Sequence, residues 1–251
     1  MSFLLVPLGV YAALCVLLFF MQRSQIYFPA PESSPAGSKS FRFAGGGADL
    51  KIWVVERPGR QAILYFGGNA EDVAFNLNAF AAAFPEHSLY LVNYRGYGGS
   101  GGSPSESGLV ADAIALYDHL RLRHPEISVI GRSLGSGVAV QLASIRDVRR
   151  LVLVTPFDSL VNVARAHFPY LPVGLLLRDR YDSARRVPAV NAATLVVIAG
   201  SDEIIPRAST EALVRKFPPA QVHACVLEGA RHNEIDLEPQ YLERLQAFLD
   251  R

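Results

Sequence analysis

The chain has 251 residues, half of them hydrophobic, which is enough for one sizeable core and short for two full domains. Its 24 basic and 23 acidic residues give a net charge of +1, so its charge gives no reason to expect a nucleic-acid partner. The two cysteines, Cys15 and Cys225, lie far apart in the sequence and do not indicate a disulfide framework.

The first predicted element is a transmembrane anchor over residues 1–22. Residues 3–21 carry no charged side chain, and as a helix these nineteen residues reach about 28 Å, close to the thickness of a bilayer's hydrocarbon core. The alternatives are a buried core helix, which usually has a polar stripe, and a cleaved signal peptide, which has a basic start and a small-residue cleavage site. The run shows none of these features, so a retained anchor is the favoured interpretation.

Basic residues set the expected orientation of this anchor. Arg23, Lys39 and Arg42 follow the apolar run and no basic side chain precedes it, so the positive-inside rule predicts that the rest of the chain is cytoplasmic. Residues 23–40 are interpreted as a linker, because their second half is rich in proline, serine and glycine.

Residues 41–251 are predicted to form one α/β domain. Short apolar, β-branched runs predict strands at 51–56, 62–66, 88–94, 127–131, 151–155, 194–200 and 222–228. Apolar residues at helical spacing separate these runs and close the chain, which is typical of a mostly parallel sheet with helices on both faces. Ligands bind such sheets at the carboxyl ends of the strands. The segment 156–193 is longer than a simple crossover, and we predict that it forms a small cap over the site.

Two stretches match the pattern Gly-x-Ser-x-Gly, around Ser133 in VIGRSLGSGV and around Ser100 in YGGSGGSP. This pattern is associated with a serine nucleophile on a sharp turn between a strand and a helix. Ser133 follows an apolar strand and precedes a helical run, and Gly131 and Gly135 leave room for such a turn. Ser100 lies several residues beyond its strand, where no helix begins. We therefore predict that Ser133 is the nucleophile and interpret Ser100 as part of a loop.

A serine nucleophile needs a base, and the base needs an acid that orients it. Among the six histidines, only His232 follows the last predicted strand, on a short loop at the carboxyl edge of the sheet. Asp202 follows the preceding strand and is the predicted acid, with Asp158, after the strand before that, as the alternative. The order Ser133, Asp202, His232 is the order expected for this architecture.

Acyl transfer also needs hydrogen-bond donors directed at the developing oxyanion. The predicted donors are the backbone N–H of Leu134, next to the nucleophile, and that of Asn69 in the loop FGGNAED. Gly68 is the alternative to Asn69. The mechanism needs no metal and no organic cofactor.

These motifs resemble the α/β-hydrolase superfamily, and they are most similar to its N-terminally anchored serine hydrolases, which include serine aminopeptidase-like proteins and protein depalmitoylases. The matching stretches in chain order are QRSQIYFP, FGGNAED, NYRGYGGSGGSPSE, GRSLGSG, TPFDSL, GSDEIIP and GARHNEI. The resemblance implies an α/β-hydrolase fold with Ser133 as the nucleophile, and it assigns the stretch around Ser100 to a family loop. The chain departs from the family's pattern at Gly67, where many relatives have histidine, and at Asn93, where many have aspartate.

The residues and the resemblance together predict a membrane-anchored serine hydrolase that cleaves an ester or a thioester. The apolar cap and the anchor favour acyl or lipid-like substrates. Two alternatives stay open: hydrolysis of an amide, as in a serine aminopeptidase, and a non-catalytic scaffold that binds a membrane partner.

Overall fold

Residues 2–251 are described by the computed structural model, and within them eight strands form a single sheet. The strands are β1 (Lys39–Gly45), β2 (Ala48–Val55), β3 (Gln61–Phe66), β4 (Ser88–Val92), β5 (Glu126–Arg132), β6 (Arg150–Val154), β7 (Ala193–Ala199) and β8 (Val222–Leu227). Their order in the sheet is β1-β2-β4-β3-β5-β6-β7-β8. Strand β2 is antiparallel to both of its neighbours, β1 and β4, and β3 to β8 are parallel to one another. The carboxyl ends of the six parallel strands therefore meet at one edge.

Helices occupy the connections between the parallel strands, precede β1 and follow β8. Those in the described residues are α1 (Ser2–Ile26), α2 (Leu77–Ala83), α3 (Glu106–Arg121), α4 (Leu134–Ala143), α5 (Leu160–His167), α6 (Val173–Leu176), α7 (Ser183–Arg186), α8 (Arg207–Val214) and α9 (Gln240–Leu249). Short 3₁₀ helices lie at Val73–Asn76, Val187–Ala189 and Ile235–Leu237. Helices α5, α6 and α7 lie within the segment 156–193, which was predicted to form the cap.

The sheet has a hydrophobic core on each face. Alternate residues of a strand point to opposite faces, so Leu64 of β3 packs in one core and Tyr65 in the other. The first core also contains Leu116 of α3 and Val138 of α4, and the second contains Leu245 of α9. The predicted mostly parallel sheet with helices on both faces is confirmed.

The boundaries at the start of the domain differ from the predicted ones. Helix α1 continues to Ile26, four residues past the expected end of the anchor. Its last turns are held by hydrogen bonds from Gln22 and Arg23 to Leu176 and Asp179 of the cap. Strand β1 was not predicted and begins inside the expected linker. It pairs along its whole length with β2 as the edge of the sheet, where its polar residues face solvent.

Helix α1 is the one described helix that is long and apolar enough to cross a membrane. The candidate span is Leu5–Ile26, with a mean hydropathy of 2.1 and only 11% of the most apolar window buried against the rest of the chain. A soluble core helix is buried on most sides, whereas this helix leaves its apolar surface uncovered.

Candidate active site

Ser133 lies on a sharp turn between β5 and α4. Its backbone has φ 49° and ψ −114°, a conformation that costs a non-glycine residue about 1–3 kcal/mol. Hydrogen bonds hold the turn in place: the Ser133 N–H donates to the Val154 carbonyl (2.9 Å), and the Ser133 carbonyl accepts from the Ser136 hydroxyl (2.6 Å). The turn therefore presents the Ser133 side chain at the carboxyl edge of the sheet.

Two glycines make this turn sterically possible. A Cβ on Gly131 would lie 2.6 Å from the Ala139 Cβ, and a Cβ on Gly135 would lie 2.6 Å from the carbonyl carbon of Phe66. Real side chains do not make contacts this short, so glycine is required at both positions. Both glycines of the Gly-x-Ser-x-Gly motif are thus required for steric reasons in this chain.

The side chains of Ser133, His232 and Asp202 form a continuous hydrogen-bonded chain. His232 Nε2 lies 2.9 Å from Ser133 Oγ, and His232 Nδ1 lies 2.8 Å from Asp202 Oδ2. A carboxylate only accepts hydrogen bonds, so Nδ1 carries the proton and Nε2 is free to accept the serine proton. Both His232 and Asp202 are buried, which excludes bulk water from this contact.

The Asp202 carboxylate is fixed from its other side by the backbone. Its Oδ1 accepts hydrogen bonds from the N–H groups of Ile204 (2.9 Å) and Ile205 (2.7 Å). These bonds hold the carboxylate in position against the imidazole. The neighbouring Glu203 instead accepts from the His232 backbone N–H (3.3 Å).

Asp158, the alternative acid, is occupied elsewhere. Its carboxylate accepts hydrogen bonds from the Ser209 hydroxyl (2.5 Å), the Asn162 amide (2.5 Å) and the Ser159 N–H (2.8 Å). These bonds join the beginning of α5 to α8 and leave Asp158 without a contact to His232 among the described residues. The structure therefore brings Asp202, and not Asp158, to the imidazole.

The two predicted oxyanion donors lie beside Ser133. Leu134 is the first residue of α4, where a helix supplies no acceptor for the N–H. Asn69 lines the same cavity as Ser133 and Leu134, and its backbone N–H makes no hydrogen bond within residues 2–251. The N–H of Gly68 already donates to the Glu71 carboxylate (2.5 Å), which removes it as the alternative.

Sequence reasoning missed a buried ion pair next to this site. The Glu71 carboxylate lies 3.8 Å from the guanidinium of Arg132, which also contacts Asp236 (3.1 Å) and the Asn233 carbonyl (3.0 Å). The acidic neighbours hold the pKa of Arg132 above its ordinary value against the opposing effect of burial. Both residues stand inside the quoted motifs, as the Arg of GRSLGSG and the Glu of FGGNAED, and that position was the available signal.

A cavity of about 390 Å³ opens in front of Ser133. This volume is within the range of about 300–1,000 Å³ typical of small-molecule sites. Its walls come from the end of α1, from the cap and from the loop after β7, and most of the side chains are apolar. The lining includes Leu18, Ile26, Phe157, Leu160, Val163, Phe168, Leu171, Leu176 and Ile205.

The hydroxyl of Ser100, in the second copy of the motif, is used in hydrogen bonds that hold a loop in place. This hydroxyl accepts from the Lys51 N–H (2.9 Å) and donates to the Asn93 carbonyl (2.9 Å), which ties the loop after β4 to β2. It does not line the cavity that contains Ser133. Within residues 2–251, His, Cys, Asp and Glu side chains form no group suited to a metal ion.

Comparisons with known proteins identify relatives along most of the chain. No protein-family model matches it. An uncharacterized protein of Mycobacterium tuberculosis is 36% identical over 243 residues, which cover 91% of this chain and 86% of that protein. Alpha/beta hydrolase domain-containing protein 17C of Mus musculus is 34% identical over 197 residues, 76% of this chain and 60% of that protein. A Caenorhabditis elegans protein of the same description is 33% identical over 195 residues, 75% of this chain and 57% of that protein.

Solved structures share the fold at low sequence identity. A Pyrococcus furiosus esterase superposes with a TM-score of 0.72 at 17% identity, covering 90% of this chain and 97% of the esterase. An enol-lactonase from Burkholderia xenovorans superposes with a TM-score of 0.67 at 15% identity, covering 84% of this chain and all of the lactonase (100%). The sheet order, the relatives and these superpositions agree: the chain belongs to the α/β-hydrolase superfamily.

Proposed function

We propose that the protein is a membrane-anchored serine hydrolase that cleaves a carboxylic ester or thioester, with Ser133 as nucleophile, His232 as base and Asp202 as orienting acid. One observation carries the proposal, namely the hydrogen-bonded chain from Ser133 Oγ through the imidazole to Asp202 at 2.9 Å and 2.8 Å. A weak hydroxyl nucleophile becomes reactive in this arrangement because the base accepts its proton as the new bond forms.

In the first half of the proposed reaction, Ser133 Oγ attacks the acyl carbonyl carbon and its proton moves to His232 Nε2. Asp202 stabilises the imidazolium that results, and the N–H groups of Leu134 and Asn69 donate to the oxyanion. Breaking the C–O or C–S bond then releases an alcohol or thiol, which takes the proton from His232. In the second half, His232 deprotonates a water molecule that attacks the acyl-enzyme, which releases the carboxylic acid and restores the serine.

The lining of the cavity favours an acyl chain as the substrate group rather than the amino-terminal end of a peptide. An aminopeptidase must bind a protonated amine, and a buried ammonium requires a carboxylate partner. Among the described residues that line the cavity, none is Asp or Glu, and most are apolar. Amide cleavage is therefore the second candidate activity, and a non-catalytic scaffold is the third.

The membrane anchor belongs to the same proposal. Helix α1 has the length and apolar composition of a membrane span, and its apolar side chains are largely exposed. The basic residues Arg23, Lys39 and Arg42 follow the span, so we propose that the hydrolase domain lies on the cytoplasmic side. The proposed partners are the bilayer and an acylated substrate, with no nucleic acid.

The test uses p-nitrophenyl esters of increasing chain length, acyl thioesters, and aminoacyl p-nitroanilides with the purified full chain. Ser133→Ala is compared with Ser100→Ala, which removes the hydroxyl of the other motif, and thermal unfolding verifies that both variants fold. We expect ester and thioester turnover in the wild type and in Ser100→Ala, and a loss of at least about 10³-fold in Ser133→Ala. Anilide turnover above ester turnover would replace the ester proposal with the amide one.

A further inference from the structure

The cap extends along the apolar helix α1, far from the sheet. The Tyr11 hydroxyl donates a hydrogen bond to the Tyr170 carbonyl of the cap at 2.7 Å. Tyr11 lies eleven residues before Gln22, the first polar residue after the apolar run, which is about 16 Å along a helix. The hydrocarbon core of a bilayer is about 30 Å thick, so the cap accompanies α1 over about the thickness of one leaflet.

The uncharged parts of α1 and of the cap end at the same level. Residues 5–21 of α1 and residues 168–177 of the cap contain no charged side chain. The first polar residues after them are bonded to each other: Gln22 Oε1 accepts from the Arg178 N–H (2.7 Å), and Arg23 pairs with Asp179 (2.9 Å). Two segments from distant parts of the sequence thus change from apolar to charged in register, as segments at one membrane interface do.

The apolar side chains of the cap are exposed beside α1. Tyr170 is 90% exposed and Leu175 is 86% exposed, and Phe168 is more than half exposed. They continue the uncovered apolar surface of α1, and contiguous exposed apolar surface of this kind marks an interaction site for a membrane or a partner. Because this patch is continuous with a candidate membrane span, lipid is the medium expected to cover it.

The cavity in front of Ser133 reaches this same surface. Leu18 of α1 and Phe168 of the cap both line the cavity, and Phe168 is also exposed on the outer face of the cap. Leu176 also lines the cavity, and its carbonyl oxygen accepts a hydrogen bond from the Gln22 amide (3.0 Å). The wall between α1 and the cap therefore joins the apolar patch to the nucleophile.

From this geometry we propose that residues 168–177 of the cap insert beside α1 into one leaflet of the bilayer, and that the acyl chain of a membrane-resident ester or thioester enters the cavity from that leaflet. The route of the acyl chain rests on the proposed hydrolase function; the inserted surface does not. The substrate class is thus an acyl donor that is held in the membrane by its own chain and whose carbonyl lies near the interface.

Insertion is tested with a nitroxide at Leu175→Cys, in the full chain with Cys15→Ser and Cys225→Ser, reconstituted in phosphatidylcholine vesicles. The matched control is a nitroxide at Leu122→Cys, because Leu122 is also highly exposed (85%) but lies after α3, at the edge of the sheet opposite Ser133. We expect position 175 to collide mainly with oxygen, which concentrates in lipid, and position 122 to collide mainly with a water-soluble nickel complex. Nickel collisions at 175 equal to those at 122 would overturn the insertion. Protection from both reagents at 175 indicates a protein contact and would overturn it as well.

The acyl route is tested by activity with Leu175→Gln and Leu122→Gln. Leu175 is exposed and does not line the cavity, so its replacement leaves cleavage of a soluble acetate ester unchanged. We expect cleavage of a long-chain ester held in vesicles to fall about tenfold in Leu175→Gln and not in Leu122→Gln. Equal rates in both variants would overturn the route. A wild type that cleaves neither ester overturns the proposed function and the route with it, while the nitroxide measurement still decides the insertion.

Discussion

The carboxylate of Glu71 and the guanidinium of Arg132 lie 3.8 Å apart and join the loop after β3 to the residue before the proposed nucleophile. Glu71 also accepts hydrogen bonds from the Gly68 N–H (2.5 Å) and the Tyr65 hydroxyl (2.6 Å). Arg132 reaches the loop that carries His232 through the Asn233 carbonyl. One buried pair thus connects the proposed oxyanion loop, the nucleophile turn and the loop of the base.

Glu71→Gln tests this positioning role. The amide keeps the shape of the side chain but loses the charge that faces Arg132, so the loop that carries Asn69 becomes less fixed. We expect kcat to fall about 10- to 100-fold with a smaller change in KM, because the donors act mainly in the transition state. We also expect the free energy of unfolding to fall by about 1–3 kcal/mol, since the buried guanidinium loses an anionic neighbour.

Glu56→Gln is the control for that substitution. Glu56 pairs with Arg123 at 3.1 Å, but both side chains are exposed, and an exposed ion pair contributes little to stability. We expect its kcat to match the wild type and its unfolding free energy to change by less than about 0.5 kcal/mol. Equal effects of Glu71→Gln and Glu56→Gln would contradict the positioning role.

The strained backbone of Ser133 predicts a difference between two inactive variants. Glycine adopts φ 49°, ψ −114° with less strain than alanine, which keeps a Cβ in an unfavourable position. We expect Ser133→Gly to be more stable than Ser133→Ala by about 1 kcal/mol, in spite of the greater flexibility of glycine in the unfolded chain. Chemical unfolding of both variants measures the difference. An alanine variant as stable as the glycine variant would show that the turn is not strained.

Protonation of His124 is expected to contribute to the dependence of the unfolding free energy on pH. This residue is buried, its Nε2 lies 2.8 Å from the Tyr90 hydroxyl, and burial lowers its pKa below the ordinary value of 6.5. Below about pH 6.5 the unfolded chain binds a proton at this residue and the folded chain does not, so the stability contribution present at higher pH is lost as the pH falls. One such group changes the unfolding free energy by at most about 1.4 kcal/mol per pH unit.

We therefore expect His124→Gln to lose less stability than the wild type between pH 7.5 and pH 5.5. Leu122→Gln, at an exposed position that carries no titratable group, provides the control and should keep the wild-type dependence on pH. Urea unfolding at the two pH values measures both variants. A wild-type slope in His124→Gln would mean that other groups control the acid sensitivity.

The hydrogen bonds of Asp179 are expected to stabilise the contact between α1 and the cap. Asp179 is buried and accepts from Arg23 Nε (2.9 Å) and from the Tyr27 hydroxyl (3.2 Å). We expect Asp179→Asn to lower the unfolding free energy in detergent by about 1–3 kcal/mol, because the charge-assisted bonds to Arg23 are lost. Asp49→Asn, which removes an exposed partner of Arg42 at 3.5 Å, should have almost no effect. Similar losses in both variants would contradict a specific bond between α1 and the cap.

The parts of the fold that follow local rules were predictable from the sequence. The buried parallel strands are continuous apolar runs, and Gly131 and Gly135 mark the turn because no other residue fits there. The order of Asp202 and His232 after successive strands follows from the rule that parallel strands end at one edge. The distances that join Asp202, His232 and Ser133 are properties of the folded chain, and their catalytic roles remain a proposal.

Features that depend on contacts between distant segments were not predictable in the same way. Strand β1 is an exposed edge whose alternating polar residues resemble a linker until β2 pairs with it. The contact between Glu71 and Arg132 joins residues of two separate motifs, and that between Tyr11 and Tyr170 spans 159 positions. No local pattern records such pairs, because they form only when the sheet has brought the segments together.

Labelling with a fluorophosphonate probe, followed by mass mapping of the modified peptide, tests the central claim most directly. Such probes form a covalent bond with a serine only where a base has activated its hydroxyl. We expect one adduct, on Ser133, that is lost in Ser133→Ala and strongly slowed in His232→Ala, while Ser100→Ala labels as the wild type does. An adduct on a different serine, or an unlabelled wild type under conditions that label a control hydrolase, would contradict the claim.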